Sequence, residues 1–292
     1  MKLKNLIFLF TTVVLSFGFF ACSDDDEVPA LSVEKESYIL PVGSSDLVVL
    51  HGGSGDFDIT LSNEIVEYNY YGYGDEGYYG TKHTSSLAIE AKSLGTTIVT
   101  VKDNKLGNEV KFTVNVVLPY VSFYVGKNDI NVDITDGSGA KSIIEKDIEE
   151  KNLINTSYII SLIKDEAKTL YVFSSMEKLN KGEFLYKGNY KFEKEQGESR
   201  GYLILDYKNG TNDKSHKYKV DGDTGLLYLN SFFELGWINP KMSVAPPVKI
   251  NLIEDFTNEY KTEYPQLNSA TLTMQTFLKH YSQLELSADL FK

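Results

Sequence analysis

Chemistry needs a nucleophile, a matched titratable pair or a cluster of metal ligands, and the 292-residue chain offers few of these. Cys22 is the single cysteine. A thiolate is an intrinsically strong nucleophile, so Cys22 is the first residue to weigh, for acylation or for a bridge to another chain. The histidines His51, His83, His216 and His280 are scattered without metal-ligand spacing. Asp221-Gly222-Asp223-Thr224-Gly225 starts like a calcium loop. An EF-hand loop, however, needs an oxygen ligand at position 5, glycine at 6 and glutamate at 12, where this chain has Gly225, Leu226 and Phe232. The segment therefore reads as a hairpin turn. Neither Gly-x-Ser-x-Gly, nor His-Glu-x-x-His, nor a phosphate loop occurs. The 41 acidic residues offer many carboxylate pairs, but a glycosidase pair is defined by separation in space. No metal and no cofactor is expected.

Aromatic rings are the other groups that could meet a ligand. The chain has 20 Tyr and 16 Phe but one Trp, and Arg200 is its single arginine. Phe232, Phe233 and Trp237 cluster beside Gly236 and Pro240, and could stack on a sugar or line a pocket mouth. Burial in a core is the stronger reading, since a lone Trp is usually well covered. Tyr71, Tyr73 and Tyr78 lie in a Tyr/Gly-rich stretch, 68–80, that could present rings to a protein or glycan. Rings packing on the face of an extended hairpin is again the stronger reading.

These residues must be placed by elements, and the first element is an address. Lys2 and Lys4 precede the apolar run Leu6–Phe20, which is shorter than the roughly 20 apolar residues of a spanning helix. A basic start, a short apolar stretch and small Ala21 make residues 1–21 a secretory signal peptide. Loss of Lys2 and Lys4 would make the net charge two units more negative than the −12 of the whole chain. Such a surface repels phosphate backbones, so nucleic acid is excluded as an expected partner. Hydrophobic content of 42% and charged content of 24% are those of a folded globular chain.

Phe19-Phe20-Ala21-Cys22 resembles a bacterial lipobox, which implies that Cys22 is the diacylated first residue of the mature protein. The run Ser23-Asp24-Asp25-Asp26-Glu27 is similar to the export tag of Bacteroidetes lipoproteins carried to the outside of the outer membrane. The resemblance implies an outer membrane lipoprotein, exposed on the cell surface and held by its N-terminal lipid. Residues 22–30 then form an acidic tether.

Aromatic and β-branched richness favours a mainly β protein. Short alternating segments at Ser37–Leu40, Leu47–Leu50, Phe57–Leu61, Leu87–Ala91, Ile98–Val101 and Val110–Val117 are separated by turn signals, as in a β-sandwich. Gly53-Ser54-Gly55-Asp56-Phe57, Ile89-Glu90-Ala91, Leu94-Gly95-Thr96-Thr97-Ile98-Val99-Thr100-Val101 and Asp103 resemble bacterial Ig-like repeats. Residues 31–118 are thus expected to be an Ig-like sandwich, a spacer or adhesive unit without catalytic residues.

Residues 119–292 read as a β-rich α+β domain, an antiparallel meander packed by one to three helices. Tyr120–Val125 and Ile130–Ile134 suggest two strands. Ile143, Ile144 and Ile148, with Ser142 and Glu145 as a capping box, predict a helix over 140–152. Tyr158–Ile163 and Thr169–Phe173 predict a hairpin; strands follow at 188–193, 201–207, 216–220 and 226–229. Charged residues alternating with Tyr190/Phe192 and His216/Tyr218/Val220 put one face of the sheet in solvent. Ile253, Phe256, Tyr260 and Tyr264 have helical spacing and predict a covering helix that ends at Pro265, while Thr271–Leu278 fits strand or helix. The order Gly-x-Tyr-x-Phe, apolar strand, Asn-Gly, Tyr-x-Val, Asp-Gly-Asp over 183–230 looks like the meander of small lipocalin-like lipoproteins. A closed barrel and a meander packed by helices both remain open. The functional expectation is noncatalytic recognition of a glycan, host or envelope component. The alternative is a structural subunit of an envelope or adhesin assembly, with a hydrolase ranked last.

Overall fold

Alternating sequences produce two kinds of β-structure here. The computed structural model describes residues 28–73, 75, 83–135, 139–194, 196, 200–237, 248–279, 281 and 284–291. Cys22, the acidic run after it, Tyr78 and His280 lie outside the described residues. One four-stranded sheet runs β1 (Ser32–Val33), β3 (Ser45–His51), β6 (Thr84–Ala91), β5 (Val66–Tyr71). The other runs β2 (Ser37–Pro41), β8 (Glu109–Val117), β7 (Gly95–Asp103), β4 (Phe57–Leu61), with β2 parallel to β8. Alternate residues of each sheet fill one core, among them Leu50, Leu87, Ile89, Val99, Val101 and Phe112. The β5 tyrosines brace the facing sheet. Tyr68 Oη donates to Ile59 O at 3.1 Å, and the Tyr70 ring meets Phe57 edge-on at 5.8 Å.

The remaining strands close on themselves. β9 (Tyr120–Ile134), β10 (Ile159–Ile163), β11 (Thr169–Phe173), β12 (Tyr186–Lys194), β13 (Gly201–Asn209), β14 (Asn212–Asp221), β15 (Val248–Asp255) and β16 (Leu267–Lys279) form an antiparallel eight-stranded barrel. β9 makes the closure, because Phe123 is opposite Ile160 on one side and Leu278 on the other. Inward residues such as Phe123, Leu162, Val172, Leu205, Tyr218 and Leu252 pack into one apolar core. Lys187, Lys191, Asp206 and Lys217 project outward. Apolar inside and polar outside is the reverse of a membrane-spanning barrel. Among the described residues no helix is long and apolar enough to cross a membrane.

Several expectations from sequence are corrected. The meander is not an open sheet packed by helices; it is a closed barrel. The two strands expected over 120–134 are one, β9. Helix α1 (Ala140–Lys151) forms as expected, but its cap is Gly139, with no side-chain cap bond from Ser142. The hairpin over 158–173 is present as β10 and β11. After the short α2 (Met176–Asn180) and β12–β14, residues 226–229 are helical, inside α3 (Asp223–Phe233). Short apolar runs fit a buried strand or a helix equally well, and tertiary contact decides between them. Gly225 is the contact: a Cβ there would run into Ile250 Cγ1, so only glycine lets α3 lie this close to β15. The helix expected around Ile253–Tyr264 is instead strand β15 followed by the single-turn α4 (Thr257–Lys261). Ile250, Leu252 and Glu254 alternate inward there, a period of two overlapping the apparent 3.6. Thr271–Leu278 is strand.

The C-terminal segment straps the two parts together. Tyr281 Oη donates to Ser45 O at 2.8 Å and Lys35 pairs with Glu285 at 2.9 Å. Tyr120 Oη donates to Leu284 O at 3.1 Å and accepts from Leu286 N at 3.2 Å. Leu284 and Leu286 are buried with Val117, Tyr120, Ile159 and Phe173.

Candidate functional site

The barrel has two ends of different character. At the end where β9 enters from the sandwich, α3 acts as a plug. Leu226 and Leu229, on one helical face, join the barrel core. The Phe192 ring meets Phe233 at a tilt, centroids 4.9 Å apart, and Trp237 edge-on at 5.6 Å. Trp237 is only 4% exposed, with its backbone N donating to Asn230 Oδ1 at 2.7 Å. Its ring presses on Gly201, where a Cβ would stand 2.6 Å from Cζ2. Phe232 and Phe233 are half-buried against the same core. The three residues therefore cover this end of the barrel, Trp237 within the core and Phe232 and Phe233 packed against it.

The opposite end carries a different set. β12, β13 and β14 turn alternate residues inward, which lines up Tyr186, Tyr207, His216 and Tyr218. Their rings are nearly parallel, with successive centroids 4.9, 5.7 and 5.9 Å apart. Glu254 lies across from Tyr218 in the β14–β15 register. Its carboxylate meets His216 Nδ1 at 2.9 and 3.2 Å. A carboxylate on one ring nitrogen orients the imidazole and leaves the other nitrogen for a further partner.

That other nitrogen has none. Among the described residues, His216 Nε2, Tyr207 Oη and Tyr218 Oη are buried without a hydrogen-bond partner. An unpartnered buried polar atom costs about 1–3 kcal/mol, and three in one stack are a feature to explain rather than packing noise. Burial, and then the nearby Glu254 and Tyr207, push the Tyr218 phenol well up, so it stays a protonated donor. Burial likewise raises Tyr207, with Tyr186 and Glu254 adding to it. The half-buried Tyr158 and Tyr186 pack against the core at this end. Lys214, opposite Tyr207 in register and half-buried, has no ion-pair partner among the described residues. A surface hollow of about 380 Å³ borders the rim, lined by Gly188, Asn189, Asp206, Tyr207, Lys214 and neighbours.

Other candidates fare less well. Lys151 is shared by Asp147 at 2.7 Å, by Glu259 and by the Tyr260 hydroxyl at 3.1 Å, a closed set that ties α1 to α4. No group of three metal-ligating side chains occurs among the described residues. Tyr71 ends β5 half-buried and Tyr73 is 72% exposed beyond it. Reading from sequence missed the barrel-end stack, although His216 and Tyr218 already showed its alternation. Glu254 fell in the segment read as helix, which hid the pair.

No protein-family model matches the chain, and no curated protein matches it. Solved structures of the S-layer protein SbsC are similar at low level. Its domains 4 and 5 align over 30% of this chain and 51% of theirs, with 16% identity and a TM-score of 0.25. Its domains 5–6 align over 66% of this chain and 96% of theirs, with 13% identity and a TM-score of 0.26. A pair of titin Ig tandem domains aligns over 64% of this chain and 94% of theirs, with 10% identity and a TM-score of 0.23. The chain thus spans about half the length of the first of these structures. Scores this low carry no functional argument.

Proposed function

We propose that this chain is a lipid-anchored recognition protein of a bacterial outer membrane, displayed on the cell surface and noncatalytic. In this reading Cys22 carries the lipid, residues 22–30 are the tether, the Ig-like sandwich is a spacer and the lipocalin-like barrel binds. The ligand is a glycan, host or envelope component. The observation that carries the reading is the stack of Tyr186, Tyr207, His216 and Tyr218, with three buried polar atoms that lack partners among the described residues. The stack lies at the barrel end remote from the strand end Tyr120, where the chain arrives from the sandwich. A spacer would therefore hold that end away from the membrane.

The test is binding by residues 28–292, which contain every described element, to a glycan array and to envelope extract. Saturable retention of a component, weakened tenfold or more by Tyr186→Ala, is the expected result. A monomer that retains nothing would sink the reading. Concentration-dependent self-assembly without ligand would favour a structural subunit instead.

A further inference from the structure

We infer that the polar end of the barrel binds the oxyanion of a small organic acid, between Lys214 at the rim and Tyr218 in the interior. This rests on the recognition reading above and specifies its ligand chemistry. Lys214, His216 and Tyr218 share the inward face of β14 by alternation, and Tyr207 stands beside them on β13, opposite Lys214. At about 3.3 Å per residue the column from Lys214 to Tyr218 spans about 13 Å along the strand.

Three polar groups of the column, the Lys214 ammonium and the Tyr207 and Tyr218 phenols, can donate. An ammonium has no acceptor, and the two phenols remain protonated and are without partners among the described residues. His216 Nε2 is a further uncommitted atom, on the side of the ring away from Glu254. The Glu254 carboxylate is directed at His216 Nδ1. Lys214 and the two phenols together offer three donor groups to an acceptor-rich anion. The Tyr186 ring, half-buried and stacked on Tyr207, offers a face for the organic part. Entry requires Tyr158 and Tyr186 to swing outward, since the unpartnered atoms are covered.

The probe is benzoate, titrated calorimetrically into the full chain in detergent, with benzamide as the neutral isostere. Benzoate should bind saturably and at least tenfold more tightly than benzamide. Lys214→Met should remove that preference. Tyr218→Phe should weaken benzoate at least fivefold while raising the melting temperature of the unliganded protein, because it deletes a partnerless buried hydroxyl. A hydroxyl with a purely structural role would give the opposite shift in melting. Equal binding of benzoate and benzamide, or benzoate binding indifferent to both substitutions, overturns the inference. If benzoate fails while an envelope component is still retained through Tyr186, the inference falls and the recognition reading stands. If both fail, both fall.

Discussion

Replacing Asp103 should unfold the sandwich at a pH where the barrel still holds. Asp103 ends β7, fully buried, and its carboxylate accepts four bonds that no other group supplies. Ser54 N donates at 2.6 Å and Ser54 Oγ at 2.7 Å, while Lys105 N and Leu106 N each donate at 2.9 Å. Burial acts to raise the carboxyl pKa, but these donors outweigh it and bring the value from 3.8 down to about 2. A fall of this size corresponds to roughly 2 kcal/mol at 1.4 kcal/mol per unit. Because the folded-state pKa is depressed, this stability is fully present above about pH 4. It is lost as pH falls toward 2. Asp103→Ala adds the cost of stranding three backbone N–H groups, about 1 kcal/mol each, for a total near 3–5 kcal/mol. Asp103→Asn keeps the shape but loses the charge, and should cost about 2 kcal/mol at pH 7 and almost nothing at pH 2. Calorimetry resolves the sandwich transition, and fluorescence of Trp237, which lies in the barrel, follows the other part separately. Equal melting of Asp103→Asn and the parent protein at pH 7, or a deficit that persists undiminished at pH 2, would refute the reasoning.

Other consequences follow from particular contacts. Gly225→Ala should cost about 1–3 kcal/mol, because α3 must retreat from Ile250, and Trp237 emission should shift to the red as the plug loosens. In the parent protein Trp237 should emit in the blue and resist iodide quenching, and glycans should leave it unchanged; ready quenching would return it to the list of ligand contacts. Leu286→Ala, at a fully buried position of the strap, should cost about 2–5 kcal/mol. It should also broaden the distribution of sandwich-to-barrel distances seen by small-angle scattering. Cys22→Ala should move the protein from the membrane fraction to the soluble one in cell fractionation; continued surface anchorage would contradict a lipidated Cys22.

What sequence alone could determine was whatever depends on neighbours along the chain. Alternation reports which side chains share a face, so most strands of both parts were legible, down to the 158–173 hairpin and the solvated face bearing Lys191 and Lys217. Alternation does not report the partner. Closure of the barrel requires Phe123 to meet Leu278, more than 150 residues away, and no local period encodes that pairing. Between Gly222, with φ of +127°, and Glu234, a run that reads as strand became a helix because Gly225 lets it lie on Ile250. In β15, burial of Ile250, Leu252 and Glu254 inside the barrel overrode a helical spacing that spanned only a few residues. The candidate site followed from these decisions: His216 and Glu254 are 38 residues apart and meet only because β14 and β15 pair within a closed sheet.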